Sequence, residues 1–173
     1  MLFRSTTKQN AIESKFLNLS DCSFSGEYLN EVVPGNGYTD ENSHIYVNAM
    51  DGIWEGMRLN IKNLNVFNLT NPRLGVKVTS SFPLNELNSA LQSETLQFTN
   101  GRAEMELEYD GRTDTVSSKN SKLTGYLKFD HGSILLTGPQ STIQNCKGIF
   151  SFINANLIVD SLQGTLADRK STV

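Results

Sequence analysis

The sequence predicts a mostly β protein: a curved, twisted antiparallel sheet built of hairpin repeats, with one short α-helix near residues 83–91. Three observations carry that expectation. Apolar and polar residues alternate with a period of two along most of the chain, which places them on opposite faces of a pleated strand. Gly, Asn and Asp interrupt the alternation at short intervals, as tight turns require. Only one stretch changes to helical spacing.

Residues 1–14 read as a disordered or arbitrary start, and 15–173 as a single β-rich segment. From Lys15 to Leu29, KFLNLSDCSFSGEYL gives two strands hinged near Ser20-Asp21, with Gly26 as a bulge or bend. Residues 30–42 hold Pro34, Gly35, Asn36 and Gly37, which is loop chemistry. In HIYVNAM, Ile45, Val47 and Ala49 oppose His44, Tyr46 and Asn48, and Asp51-Gly52 reads as a two-residue hairpin turn. Beyond it Ile53, Met57, Leu59 and Ile61 share one face, while Trp54 joins the polar side. After Pro72, Leu74, Val76 and Val78 oppose Gly75, Lys77 and Thr79.

In FPLNELNSALQ, Leu84, Leu87 and Leu91 fall at three- and four-residue spacing, with Ala90 between them and Pro83 suited to a first helical turn. The strand pattern returns with a turn at Asn100-Gly101. Next comes the cleanest alternation in the chain: Ala103, Met105, Leu107 and Tyr109 against Arg102, Glu104, Glu106 and Glu108. A charged row beside an apolar row means one wet face and one dry face. A polar loop, residues 110–121, leads to Leu123, Leu127 and Phe129, then Ile134 and Leu136 after His131-Gly132. Phe150 and Phe152 follow Gly148, and Leu157 and Val159 close the pattern. Gly26, Gly52, Gly75, Gly101, Gly125 and Gly148 recur near strand bends at a spacing that suits a hairpin per unit.

Charged residues make up 19% of the 173 and hydrophobic ones 38%, which excludes a disordered chain. A formal net charge of -3, with no Lys/Arg cluster, excludes a nucleic-acid surface. No apolar run approaches the ~18 residues of a transmembrane helix, and MLFRSTTKQN lacks the apolar core of a signal peptide. The opening and the last residues, DRKSTV, suggest a piece of a longer protein. Cys22 and Cys146 are too few for a disulfide scaffold, lack metal-ligand spacing and read as buried apolar thiols.

The apolar faces set the physical problem. About nine strands offering about three apolar side chains each present some 25 residues, worth roughly 1.5–3 kcal/mol apiece when buried. A helix of about 13 Å cannot cover strands about 33 Å long. The sheet therefore closes on itself around a dry core, stacks on neighbouring repeats, or curls into a trough lined for acyl chains.

From about Asn63 onward, within residues 62–168, the order of parts resembles the C-terminal repeats of the AsmA family, large periplasmic proteins related to TamB. The resemblance is carried by NLNVFNLTNPRLGVKV, the Leu-rich PLNELNSALQ, NGRAEMELEYDG, a polar loop, LTGYLKFDHGSILLTG and the closing CKGIFSFINANLIVDSLQGTL. It implies a half-pipe or taco-like sheet with a hydrophobic interior, part of a groove for phospholipid transport between inner and outer membranes in outer-membrane biogenesis. It implies a periplasmic location, with the parent anchored in the inner membrane of a diderm bacterium through a helix absent from this stretch. The implied partners are phospholipid or another acyl-chain lipid and neighbouring repeats of the same chain. By analogy the lining falls on Leu74, Val76, Val78, Ala103, Met105, Leu107, Tyr109, Leu123, Leu127 and Phe129. The same alternation adds Ile53, Met57, Leu59, Ile61, Ile134, Leu136, Phe150, Phe152, Leu157 and Val159.

No pattern here points to an enzyme, a cofactor or a metal. His44 and His131 stand without Cys or carboxylates at ligand spacing, and Asp130-His131, as strand neighbours, point to opposite faces. Glu104, Glu106 and Glu108 read as a solvated outer row. Asn18-Leu-Ser20 and Asn68-Leu-Thr70 match the glycosylation pattern, which Asn-rich chains produce by chance. The alternative reading is a closed β-sandwich or β-solenoid acting as a structural or adhesive module. Such a module binds glycan or protein through Trp54, Tyr46 and Tyr126.

Overall fold

The computed structural model describes residues 2–12 (backbone only), 19–112, 121–154 and 156–167. Nine antiparallel strands follow one another in sequence order across a single sheet. They are β1 (Leu2–Ile12), β2 (Leu19–Asn30), β3 (Ser43–Trp54), β4 (Met57–Phe67), β5 (Arg73–Pro83), β6 (Leu96–Arg112), β7 (Lys122–Leu136), β8 (Ser141–Ile153) and β9 (Asn156–Ala167). β1 and β9 are its two edges, so the sheet is open and neither a sandwich nor a barrel. β1, within the stretch read above as a disordered or arbitrary start, pairs with β2 from Leu2↔Glu27 to Ile12↔Leu19.

The sequence signals for turns divide into two kinds of structure. Glu55-Gly56 makes the β3–β4 hairpin turn, with both residues at positive φ (50° and 87°), as the tightest loops require. Asp51-Gly52, expected to be that turn, instead lies inside β3. There the missing side chain of Gly52 makes room for its neighbours, since a Cβ would stand 3.2 Å from Cys22 Sγ. Asn100-Gly101 and His131-Gly132 are likewise bulges inside continuous strands. Gly101 (φ 107°) lies so close to Gly132 that a Cβ would meet its Cα at 2.7 Å. A bulge and a hairpin turn both call for positive φ, so one dipeptide signal serves either.

Further bulges accompany Asp21, Asn63 and Asn145, all at positive φ near register shifts. Each adds a residue to one strand, bends it and switches which parity faces inward. From Gly75 onward each glycine interval carries one strand, and successive strands make the recurring hairpins.

The helix expected near residues 83–91 is a 3-10 turn, Leu84–Glu86, running into α1, Leu87–Leu91, and a separate 3-10 turn, Asp40–Asn42, lies in the β2–β3 connection. Leu84 is buried, and Leu87 and Ala90 pack on the buried cluster, whereas Leu91 turns to solvent. Asn88 pins the segment to β6: its Oδ1 accepts from Phe98 N at 2.9 Å and its Nδ2 donates to Phe98 O at 2.8 Å. One side chain thus replaces a strand partner for that residue.

Buried side chains run in one cluster from Leu19 and Cys22 on β2 to Cys146 on β8. Six strand spacings separate those strands, about 29 Å, while the helical segment spans only about 13 Å. A flat sheet with so small a lid would leave most of that face wet. Burial across seven strands therefore requires the sheet to curl over its apolar side.

Candidate functional site

The pairing registers show which side chains share a face, since residues directly opposite in an antiparallel pair point the same way. One row crosses seven strands: Met50, Ile61, Val78, Leu107, Gly125, Phe152, Leu157. A second runs Gly52, Leu59, Ser80, Met105, Leu127, Phe150, Val159. A third, Phe82, Ala103, Phe129, Gly148, Leu162, lies nearer the helix. At the opposite end come Ile45, Val66 and Leu74, with Val76, Tyr109 and Leu123 beside them. Ile134, facing Ile143, and Leu136 continue this inner face beyond the β7 bulge.

Every proposed lining residue therefore sits on one face, with a single exception. Ile53 pairs with Arg58 on the outer face, while Trp54 pairs with Met57 and packs on the buried cluster. The reversal follows from moving the turn by four residues. It also removes Trp54 from the surface contacts of the adhesive reading. Tyr46 and Tyr126 do lie on the outer face, where the Tyr46 hydroxyl donates to Asn63 Oδ1 at 3.1 Å.

Burial varies along the strands. At the helix end Phe82, Ala103 and Phe129 are 1%, 0% and 2% exposed, and Phe129 lies 5.7 Å from the ring of Phe150 and 5.9 Å from that of Phe98. Toward the other end the same face becomes half-buried at Val66, Leu74, Leu107, Tyr109 and Leu123. Val76, Val78, Met105 and Phe152, and Ile45 and Leu64 on the β3–β4 side, pack on the buried cluster, whereas these five do not. Val47, opposite Gly26, Ser43, opposite Asn30, and Gly111, opposite Leu74, stay buried this far along. The inner face is thus a trough, sealed by the helical segment at one end and accessible over β4 to β7 at the other. On its β9 rim Leu157, Val159, Leu162 and Leu166 are exposed, and a recess of about 370 Å³ lies between Ile134, Ile143, Cys146, Leu162 and Leu166.

The outer face is polar and paired. Arg73 donates from Nε and Nη2 to the two oxygens of Asp110 at 2.9 and 3.2 Å, and Lys77 Nζ donates to Glu106 Oε1 at 2.7 Å. Hydrogen bonding from Arg73 holds the Asp110 carboxyl below its usual range, and the bond to Glu106 raises Lys77. The carboxylate row Glu104, Glu106, Glu108 therefore faces solvent and lysines. Asp130 and His131 do not diverge as strand neighbours should. At the bulge His131 has φ 51°, and its Nδ1 comes within 3.3 Å of Asp130 Oδ2, with both side chains exposed. They border an open depression of about 530 Å³ with Arg102, Glu104, Lys128 and Phe129. Cys22 and Cys146 are buried and unbridged, and burial raises Cys146. Asn68 lies in the β4–β5 turn, while Asn18 lies outside the described residues.

Among the described residues no helix is long and apolar enough to cross a membrane, and no group of three His, Cys, Asp or Glu could hold a metal ion. No family model, curated protein or solved structure matches this chain.

Sequence reasoning missed Leu64 and Val66, which follow the bulge at Asn63 onto the inner face. The only local signal is the shift in apolar parity itself, from Leu59 and Ile61 to Leu64 and Val66.

Proposed function

We propose that this chain is a non-catalytic segment of an AsmA-like envelope protein whose trough forms part of a phospholipid path between inner and outer membranes. The observation that carries the reading is the gradient along one face: a continuous apolar lining, dry beneath the helical segment and only half-buried at Leu74, Leu107, Tyr109 and Leu123. Acyl chains suit such a lining, because each buried methylene contributes about 0.8 kcal/mol and needs no directional partner. Most polar side chains gather on the opposite face, so a lipid in the trough meets chiefly hydrocarbon, interrupted at Ser80. The β9 edge, exposed and apolar, is where a neighbouring repeat would extend the sheet by main-chain pairing.

Lipid extraction and mass spectrometry of the purified protein test the reading, with phospholipid expected to co-purify. Replacing Leu107 and Leu123 by Asp lines the accessible half with charge. That change should lower the lipid content by roughly tenfold or more, since one buried leucine contributes about 1.5–3 kcal/mol and tenfold corresponds to about 1.4. Absence of phospholipid from the parent, or lipid retained undiminished by a folded double variant, would count against the trough.

A further inference from the structure

β2 ends at Asn30 and β3 begins at Ser43, and these two residues pair with each other. The neighbouring pairs His44↔Phe67, Phe67↔Arg73 and Arg73↔Arg112 carry the same level across to β6, where the trough is accessible. The connection Glu31–Asn42 therefore stands at the accessible end. It holds three apolar side chains out to solvent: Val32 at 43%, Val33 at 52% and Tyr38 at 75% exposure.

The loop is built to keep them there. Asn42 Oδ1 accepts from Val33 N at 2.8 Å, and its Nδ2 donates to Val33 O at 3.1 Å and Gly37 O at 2.9 Å. Glu31 Oε1 accepts from Gly35 N at 3.0 Å, and Asp40 O accepts from Leu69 N at 2.7 Å, tying the loop to the β4–β5 turn. Turning the valines inward would break this network. The exposed side chains are thus presented on a preorganised scaffold, which lowers the ordering cost of contact.

We infer that the Glu31–Asn42 loop is a membrane-docking tip that sets the accessible end of the trough against the surface of a neutral lipid bilayer. What would pass through that end rests on the trough reading, whereas the docking does not. The connection presents two adjacent aliphatics and a tyrosine with its polar handle, residue types that settle at a bilayer interface. A stable protein interface needs about 800 Å² per partner, more than three side chains on a loop tip supply. The segment holds Glu31, Asp40 and Glu41 and no Lys or Arg, so anionic headgroups would repel it.

Flotation of the full chain with phosphatidylcholine vesicles tests the inference, with phospholipid content measured on the same preparations before vesicles are added. The parent is expected to float, and the Val32→Ser/Val33→Ser/Tyr38→Ser variant to float roughly tenfold less while keeping its circular dichroism and its lipid content. Replacing a third of the vesicle lipid with phosphatidylglycerol should weaken flotation of the parent. A parent that stays unbound, or a triple variant that floats equally well, overturns docking and leaves the trough untouched. Self-association that depends on the same three residues, without flotation, also overturns it by making the tip a protein interface. Flotation that depends on them in a protein carrying no phospholipid keeps the docking and removes the trough.

Discussion

The two ends of the trough are made of the same strands and the same residue types, yet they differ in what they exclude. At the helix end Phe82, Phe98, Phe129 and Leu84 interlock and water is shut out. At the other end Leu74, Leu107 and Leu123 continue the same alternation and stay half-buried. The difference lies in what covers them: Leu84, Leu87 and Ala90 reach only one end. Alternation places side chains on a face, and a separate element decides whether that face becomes a core or a surface that can take a ligand.

Truncation should separate the ends most sharply. Phe129→Ala in the sealed half is expected to cost about 3–5 kcal/mol, as for other large-to-small core changes. Leu123→Ala, half-buried, should cost about 1 kcal/mol. Denaturant midpoints measure both, and equal losses would erase the distinction.

Next in size is the clamp on the lid. Asn88→Ala leaves the N–H and C=O of Phe98 without their side-chain partner, at a cost of about 1–3 kcal/mol. Amide exchange at Phe98 should accelerate accordingly, while exchange at Leu107, on the same strand, changes little. Loss of protection along the whole of β6 would mean that the helical segment stabilises the strand as a unit.

The cysteines probe the same boundary without mutation. Both are buried, and Cys146 is further disfavoured as a thiolate, so labelling by an aqueous disulfide reagent should proceed only as fast as the protein opens. Prompt labelling of either would place water inside the sealed half.

The smallest effect belongs to the outer face. Arg73 lowers the Asp110 pKa, so that pair adds stability above the usual carboxylate range and loses it as pH falls through the lowered value. Both side chains are more than half exposed, so the contribution is small and salt-sensitive. The melting-temperature difference between the parent and Asp110→Asn should be greatest above the usual carboxylate range and shrink as acid protonates Asp110. A difference that grows on acidification would contradict the assigned sign.

Much of this was legible in the chain. The alternation from Ala103 to Tyr109 and the Pro83–Leu91 spacing locate β6 and the helical segment without coordinates, because periods of two and of about 3.6 arise from backbone geometry alone. Glycine-containing turn dipeptides were not separable: Glu55-Gly56 turns the chain, while Asp51-Gly52 and Asn100-Gly101 do not. That choice depends on what lies beside them, Cys22 against Gly52 and Gly132 against Gly101. The misplacement of Ile53 and Trp54 followed from it. The division into a sealed and an accessible half was out of reach for the same reason, since Phe129 and Leu123, on one strand and of one parity, look alike until the lid has a position.

The most direct test is global replacement of leucine by photo-leucine, which keeps the packing, followed by irradiation with phospholipid and mapping of the adducts by mass spectrometry. Adducts are expected at Leu74, Leu107 and Leu123, with Leu19, Leu59 and Leu84 unmodified. Adducts spread evenly over both sets, or absent from the first, would contradict a trough that is dry at one end and lipid-accessible at the other.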